Sequence, residues 1–411
     1  MNKSFYFLWM GNSLGKLANS LYMMTVTMVI YHITNSGTLA GLVTMIHVIA
    51  KFLSSFFMPI ITDRYPLKFI LRISLFGQSC LLFILILLFY FKDINHFLIN
   101  LIIYLIIFFI GFLDGWTNPA RNSLTPKIVQ KEELAKANSL ISTTDQSLAL
   151  LGWSFGGVAA IHFGNINILY FALSLYILSA LSTLLISEKF RGASKSRPNW
   201  DSIKIGWSIL FKNANLRIIT IMGIIEGIAG GIWIGGITLV FVKEILKQNE
   251  TWWGYINASY YLGSIIGGIF IVLISKWMQR NLVYSIILGS FGVSVFVLIY
   301  AFTKSPIVAL TLVFIMGPFY QLRDVSQNTY FQSSIEESYL PKVYSTQSNI
   351  YYIVFSISVF IMGTISDFLG VKLVYILASI LYFTSSFLAV SINIKRYKDT
   401  EIKNIKIKTE G

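Results

Sequence analysis

Residues 81–90 read LLFILILLFY and residues 101–110 read LIIYLIIFFI, two runs without a single charged side chain. A helix that is apolar all round has no face to turn to water, so it belongs inside a large core or a bilayer. The strands of a membrane β-barrel alternate apolar with polar residues, and these runs do not alternate. Composition decides for the bilayer: 55% of the chain is hydrophobic and only 12% charged, against about 25% charged in soluble domains. A soluble enzyme, a nucleic-acid-binding domain and a disordered chain are excluded together.

A crossing helix needs roughly 20 mostly apolar residues. Apolar runs between charged or turn-rich breaks give twelve spans, at 5–30, 39–60, 69–91, 97–118, 139–161, 166–187, 217–241, 252–275, 282–303, 307–328, 344–365 and 371–394. The expected fold is an all-α membrane protein with 12 transmembrane helices in two pseudo-symmetric six-helix bundles. The longest polar stretch divides them: residues 1–187 form the N-terminal bundle, 188–216 a cytoplasmic linker, 217–394 the C-terminal bundle and 395–411 a basic cytoplasmic tail. The linker carries an amphipathic helix around Trp200 to Phe211.

Basic residues orient the spans. With both termini in the cytoplasm, 25 of the 32 Lys and Arg residues fall on the inner side and five on the outer, as the positive-inside rule requires. The net charge of +14 is therefore mostly topology and not a nucleic-acid footprint. The remaining two cations, Lys16 and Lys51, lie inside spans.

The halves echo each other weakly. At an offset of 206 residues, Gly111, Asn122, Leu134, Lys136, Ser139, Ser142, Gly157 and Gly164 match Gly317, Asn328, Leu340, Lys342, Ser345, Ser348, Gly363 and Gly370. This pairs span 4 with span 10 and span 5 with span 11, as in transporters built from duplicated bundles. Cys80 is alone, which excludes an intramolecular disulfide or a thiolate cluster. Lys16 interrupts the first apolar stretch, and no small-residue cleavage pattern follows, so an uncleaved first span is expected. No G-x-x-x-x-G-K-[ST] stretch occurs, and coupling is expected from an ion gradient or from the substrate alone, without a cofactor.

Charges inside a bilayer cost about 2.5–3.5 kcal/mol on insertion scales and usually face a cavity. Asn12, Lys16 and Asn19 form one stripe along span 1, and His47 and Lys51 lie four apart on span 2. Glu226 shares their depth in span 7, followed by Gly227, Gly230, Gly231, Gly235 and Gly236. These residues suggest a central site for an anionic or zwitterionic solute with carboxylates. The plainer alternative is that Lys16 or Lys51 pairs with Glu226, or with backbone carbonyls, to hold helices together. Glu226 is the first candidate for proton coupling, then Asp145 and Asp114, which also suit an inner salt-bridge gate with Arg64 and Arg121. Arg323 and Asp324, with Gln321, Gln327 and Asn328, form a polar patch in span 10 that fits an inner gate or a substrate contact. His32, His96 and His162 lack ligand spacing, so no metal site is expected. Trp9, Trp233, Trp252, Trp253 and Trp277 are expected as interface anchors.

Three segments are similar to the major facilitator superfamily, and the resemblance spans the chain. Asp63, Arg64 and Lys68 after span 2 resemble its cytoplasmic signature, which implies a gating role for the Asp-Arg pair. Asn118-Pro119-Ala120-Arg121-Asn122-Ser123-Leu124-Thr125-Pro126-Lys127, running on through Glu132, Glu133, Leu134, Ala137 and Asn138, resembles the loop of the macrolide-efflux and siderophore-exporter branch. Gly152-Trp153-Ser154-Phe155-Gly156-Gly157 resembles the antiporter motif of drug and proton exchangers, whose glycines imply close helix packing at Gly152, Gly156 and Gly157. The resemblance implies a non-enzymatic exporter of a bacterial plasma membrane, driven by proton exchange and alternating access. Its expected partners are a small-molecule substrate, protons and membrane lipids, with no nucleic acid, and it is expected to be monomeric. The intramembrane lysines favour a carboxylate-rich metallophore as substrate. A macrolide-like drug is the alternative, as is an importer or a non-transporting sensor or scaffold on the same fold.

Overall fold

The apolar runs fold as helices in the computed structural model, which describes residues 1–34, 37–89, 96–188, 201–233 and 235–392. In the first half these are α1 (Lys3–Thr34), α2 (Gly37–Thr62), α3 (Leu67–Leu88), α4 (His96–Asp114), α5 (Thr117–Ile128), α6 (Leu134–Phe163) and α7 (Asn165–Ser182). After α8 (Asp201–Lys212) follow α9 (Ala214–Ala229), α10 (Gly235–Glu244), α11 (Glu250–Arg280), α12 (Leu282–Phe302), α13 (Pro306–Ser334), α14 (Leu340–Leu369) and α15 (Val371–Val390). The chain is all-α, with no strand among the described residues. Linker residues 189–200 and the basic tail 395–411 lie outside the described residues.

Among the described residues, ten segments are long and apolar enough to cross a bilayer by length and composition. Two more helices, α1 with 32 residues and α6 with 30, have the length at 1.5 Å per residue but carry more polar side chains. Those are Asn12, Lys16 and Asn19 on α1, and Ser142 to Ser147 on α6. With these two, the described residues supply twelve helical spans, the number expected.

Two stretches depart from expectation. The segment from Asn118 to Lys127, expected as a loop, is helical: α4 ends at Asp114, Gly115 and Trp116 turn, and α5 continues the same 28-residue span, Leu101–Ile128. Pro119 is tolerated because it is the third residue of α5, where a backbone N–H has no intrahelical partner. Ser123 and Thr125 bond back to the carbonyls of Pro119 and Arg121, at 2.7 and 2.9 Å. Span 7, expected as one helix, breaks into α9, a 3₁₀ turn at Gly230–Trp233, and α10. Glycine is the weakest helix former apart from proline, and the break falls where the glycines cluster.

By internal contacts the residues group into two units, the first being Met1–Gln130, Leu148–Gly206 and Ser338–Asn349. The second is Lys131–Ser147, Trp207–Glu337 and Ile350–Gly411. The same pairings recur in both. α1 packs on α7, α3 on α7 and on α4, and α2 on α4; in the second unit α9 packs on α15, α12 on α15 and on α13, and α11 on α13. Each unit has an apolar core, centred on Tyr22, Leu82, Ile86, Ile107 and Tyr176 in the first and on Phe241, Val297, Tyr300, Val313 and Tyr375 in the second.

Lipid offers no hydrophobic drive between helices, so association depends on close packing at small residues. A Cβ on Gly111 would lie 2.8 Å from the carbonyl oxygen of His47, and one on Gly317 would lie 2.3 Å from the amide nitrogen of Ser264. These two glycines are partners in the offset of 206, and each seats its helix against the backbone of α2 or α11. Gly164 and Gly370, another pair in that offset, have φ of +81° and +86° and precede α7 and α15 with ψ of 145° and 148°. That backbone region is closed to residues with a side chain. The weak sequence echo thus marks positions where the backbone itself demands glycine.

Candidate functional site: two buried ion-pair clusters

Each unit holds a carboxylate paired with a cation. In the first, Asp114 ends α4, and its Oδ2 lies 2.6 Å from Lys51 Nζ and 3.4 Å from His47 Nε2. His47 and Lys51 are one turn apart on α2, so both reach the same acid. Their approach follows from the sequence Gly111-Phe-Leu-Asp114-Gly115. A Cβ on Gly115 would lie 2.8 Å from the Lys51 carbonyl, just as one on Gly111 would meet His47. Two glycines bracketing the acid bring α2 and α4 into backbone contact at its depth. The Lys51 and Asp114 side chains retain 17% and 15% of their exposure, whereas His47 is buried.

In the second unit Glu226 Oε2 lies 3.4 Å from Arg323 Nε, with the two side chains only 5% and 7% exposed. The hydroxyls of Ser290 and Ser385 donate to Glu226 Oε1 at 3.1 and 2.6 Å, and Gln327 Nε2 donates to Oε2 at 3.3 Å. Four helices therefore meet at this carboxylate: α9, α12, α13 and α15. Arg323 is fixed from behind, because a Cβ on Gly289 of α12 would lie 2.7 Å from its amide nitrogen. Its guanidinium lies 4.6 Å over the Tyr320 ring and 5.9 Å from that of Tyr382, a cation–π arrangement. Tyr320 meets Tyr260 edge-on at 5.8 Å, and Tyr260 stacks on Trp233 at 6.2 Å. Trp233 therefore sits in an aromatic cluster with Tyr260, Tyr300 and Tyr375, and not as the interface anchor expected from its place near a span end.

The other expected residues fall as follows. Tyr176 donates to Asn19 at 3.3 Å, while Asn12 is buried and Lys16 half-buried on α1. A polar ladder joins α6 to α13, with Ser142 donating to Gln321 at 3.0 Å and lying 3.5 Å from Asp324, and Asn138 donating to Thr329 and Gln332. Asp145, three residues from Ser142, is half-buried. Asp63 pairs with Lys342 at 2.8 Å and accepts from the Ser202 hydroxyl; Lys342 and Ser202 were not expected there. Arg64 is exposed. Arg121 is buried and donates to Asn122 at 3.1 Å. Gly152 packs on Ser20, whose Cβ lies 2.9 Å from where its own would be. Gly156 and Gly157 continue α6, but their surroundings, with the Trp153 side chain, lie outside the described residues, as do the His32 and His96 side chains. Among the described residues no group of three or more His, Cys, Asp or Glu is placed to hold a metal ion.

Residues 8–348 match the profile of the Major Facilitator Superfamily. The chain is 37% identical over 390 residues to the uncharacterized MFS-type transporter YfmI of Bacillus subtilis (strain 168), an alignment covering 94% of this chain and 95% of that protein. To the uncharacterized MFS-type transporter YjbB of the same organism it is 30% identical over 396 residues, covering 95% of each. A crystal structure of a bacterial homologue of the iron transporter ferroportin, in the outward-facing state, superposes with a TM-score of 0.81 at 13% identity, covering 95% of this chain and 99% of that one. The human organic anion transporter MFSD10 (TETRAN) gives 0.77 at 10% identity, covering 95% and 100%. At such identities the structural likeness establishes the fold.

Proposed function

The chain belongs to the major facilitator superfamily and is a multi-pass membrane transporter, not an enzyme; on that premise we propose that it exports a small, carboxylate-rich zwitterion of metallophore type in exchange for protons. It does so from a bacterial plasma membrane, with both termini in the cytoplasm, an orientation supported by the excess of Lys and Arg in the inner loops. The fold does not select the solute, since its structural neighbours bear names as different as an iron-transporter homologue and an organic anion transporter.

The observation that carries the reading is the Lys51–Asp114 pair beside His47. An ion pair inside a membrane is held because each charge needs an opposite charge near it. A zwitterion supplies both at once: its carboxylate takes Lys51 and its ammonium takes Asp114, so no charge is left unpaired when the pair opens. A proton on Asp114 removes the anion that the solute's ammonium requires. Proton and solute therefore compete for one carboxylate, which is the condition for exchange. A purely anionic solute lacks this property, since protonating Asp114 frees Lys51 and strengthens its binding. Asp114 suits the task better than Glu226 because it keeps more exposed surface. Asp63 with Lys342, and the ladder from α6 to α13, are assigned to gating.

The test compares culture-medium metabolites of producing and deletion strains, then measures solute-driven proton flux in proteoliposomes with the solute identified. Asp114→Asn should abolish proton exchange and weaken solute binding, and the binding that remains should no longer change with pH. A deletion strain that secretes its chelators normally yet becomes macrolide-sensitive would replace this reading with drug efflux.

A further inference from the structure

Outside the Lys51–Asp114 cluster, the second unit holds a buried cation whose donors are not all used. Arg323 is held on one edge by Glu226, 3.4 Å from Nε, and over one face by Tyr320. Its Nη1 is buried and has no hydrogen-bond partner among the described residues. A buried donor without an acceptor is costly, and a charged one more so. A guanidinium presents its N–H groups in a planar fork suited to two carboxylate oxygens, a match that an ammonium cannot reproduce. Beside it stands a wall of half-buried rings, Tyr320, Tyr260 and Trp233, in edge and stacked contact. The contact with Tyr320 occupies one face of the guanidinium, and a ligand with an acid next to an apolar ring would use the remaining N–H groups and the rings together.

We infer that Arg323, with the Tyr320–Tyr260–Trp233 wall, is a subsite for a carboxylate attached to a planar or apolar ring. It rests on the reading of the solute as a carboxylate carrier and extends it with a second acid-binding position, built within the second unit alone. Arg323 supplies the charge and the fork, Glu226 sets the orientation of the guanidinium, and Gly289 leaves α12 close enough to keep Arg323 from retreating. The wall accepts the ring by stacking.

The test is equilibrium binding of radiolabelled phenylacetate to the full chain in nanodiscs. Unlabelled phenylacetate should compete at concentrations about tenfold lower than phenylacetamide, the discrimination expected for a charge-assisted hydrogen bond. It should also outcompete acetate, which lacks the ring. Arg323→Lys should lose about tenfold in affinity, and Tyr320→Ala should erase the advantage over acetate while keeping the preference for acid over amide. Because Arg323→Gln alone strands Glu226, the charge-balanced Glu226→Gln/Arg323→Gln pair is the decisive variant, and it should bind acid and amide equally. Equal binding of acid and amide by the unaltered protein, an undiminished preference in the double variant, or no saturable binding at all would overturn the subsite and leave a buried water as the occupant of Nη1. Asp114→Asn separates the two proposals: it should leave phenylacetate binding unchanged even where it abolishes proton exchange.

Discussion

The two units pack their helices alike and charge them differently. α4 and α13 take the same place among their neighbours, and Gly111 and Gly317 sit at matching positions on them. Yet α4 contributes an acid, Asp114, and α13 a base, Arg323. Asp114 meets its cations on α2, the helix that Gly111 packs against; Arg323 meets its acid on α9, a helix outside the Gly317 contact. The first pair keeps 15–17% of its side-chain exposure and the second 5–7%. Helix packing and charge pairing are therefore set by different residues. Small residues fix where backbones touch, while a buried charge needs only some partner within reach, and each unit has found its own.

The difference in burial can be broken by substitution. Arg323→Gln leaves Glu226 buried without its cation and should destabilise the protein by about 3–5 kcal/mol, measured by thermal unfolding in nanodiscs. The double variant Glu226→Gln/Arg323→Gln should recover more than half of that loss. Lys51→Gln should cost less, about 1–3 kcal/mol, because Asp114 keeps His47 and some exposure. Equal losses would show that burial does not distinguish the pairs.

The likeness in packing can be sharpened in the same assay. Gly111→Ala and Gly317→Ala should each cost about 1–3 kcal/mol through overpacking, with Gly317 the worse because its neighbour is a backbone nitrogen at the shorter distance. Gly164→Ala and Gly370→Ala meet no atom within 4 Å, so their cost is backbone strain alone, about 1–3 kcal/mol and the same in both units. Unequal strain would mean that the two turns are not equivalent. The smallest effect belongs to Ser385→Ala, which removes one of several donors to Glu226. It should cost about 0.6 kcal/mol, the average for such bonds in membranes.

Much of the fold is legible in the sequence because a bilayer imposes a coarse rule: a long apolar run has few alternatives to a helix. The rule does not resolve what happens within a span. Pro119 reads as a loop residue until its place in the first turn of α5 is known, and the glycines of span 7 do not announce which of them ends α9. The charged residues stand out by chemistry, but their partners depend on helix neighbours far away in sequence. Lys51 and Asp114 are 63 positions apart, and Arg323 is nearly a hundred from Glu226. One signal was present at the first site: glycines at 111 and 115 bracket Asp114, and small residues flanking an acid mark where another backbone crosses. At Arg323 the glycine that matters, Gly289, lies on the neighbouring helix, so nothing beside the arginine gives its surroundings away.

The Lys51–Asp114 pair has an electrical consequence. On the proposed exchange, a solute whose carboxylates and ammonium groups balance crosses the membrane without net charge, so each proton that Asp114 carries the other way moves one positive charge into the cell. The membrane voltage then does work on every cycle, about 2.3 kcal/mol for each 100 mV, enough by itself for a concentration ratio of roughly fifty. Such a protein would keep expelling its solute in an alkaline medium where no pH gradient remains, and would stall when the voltage is short-circuited.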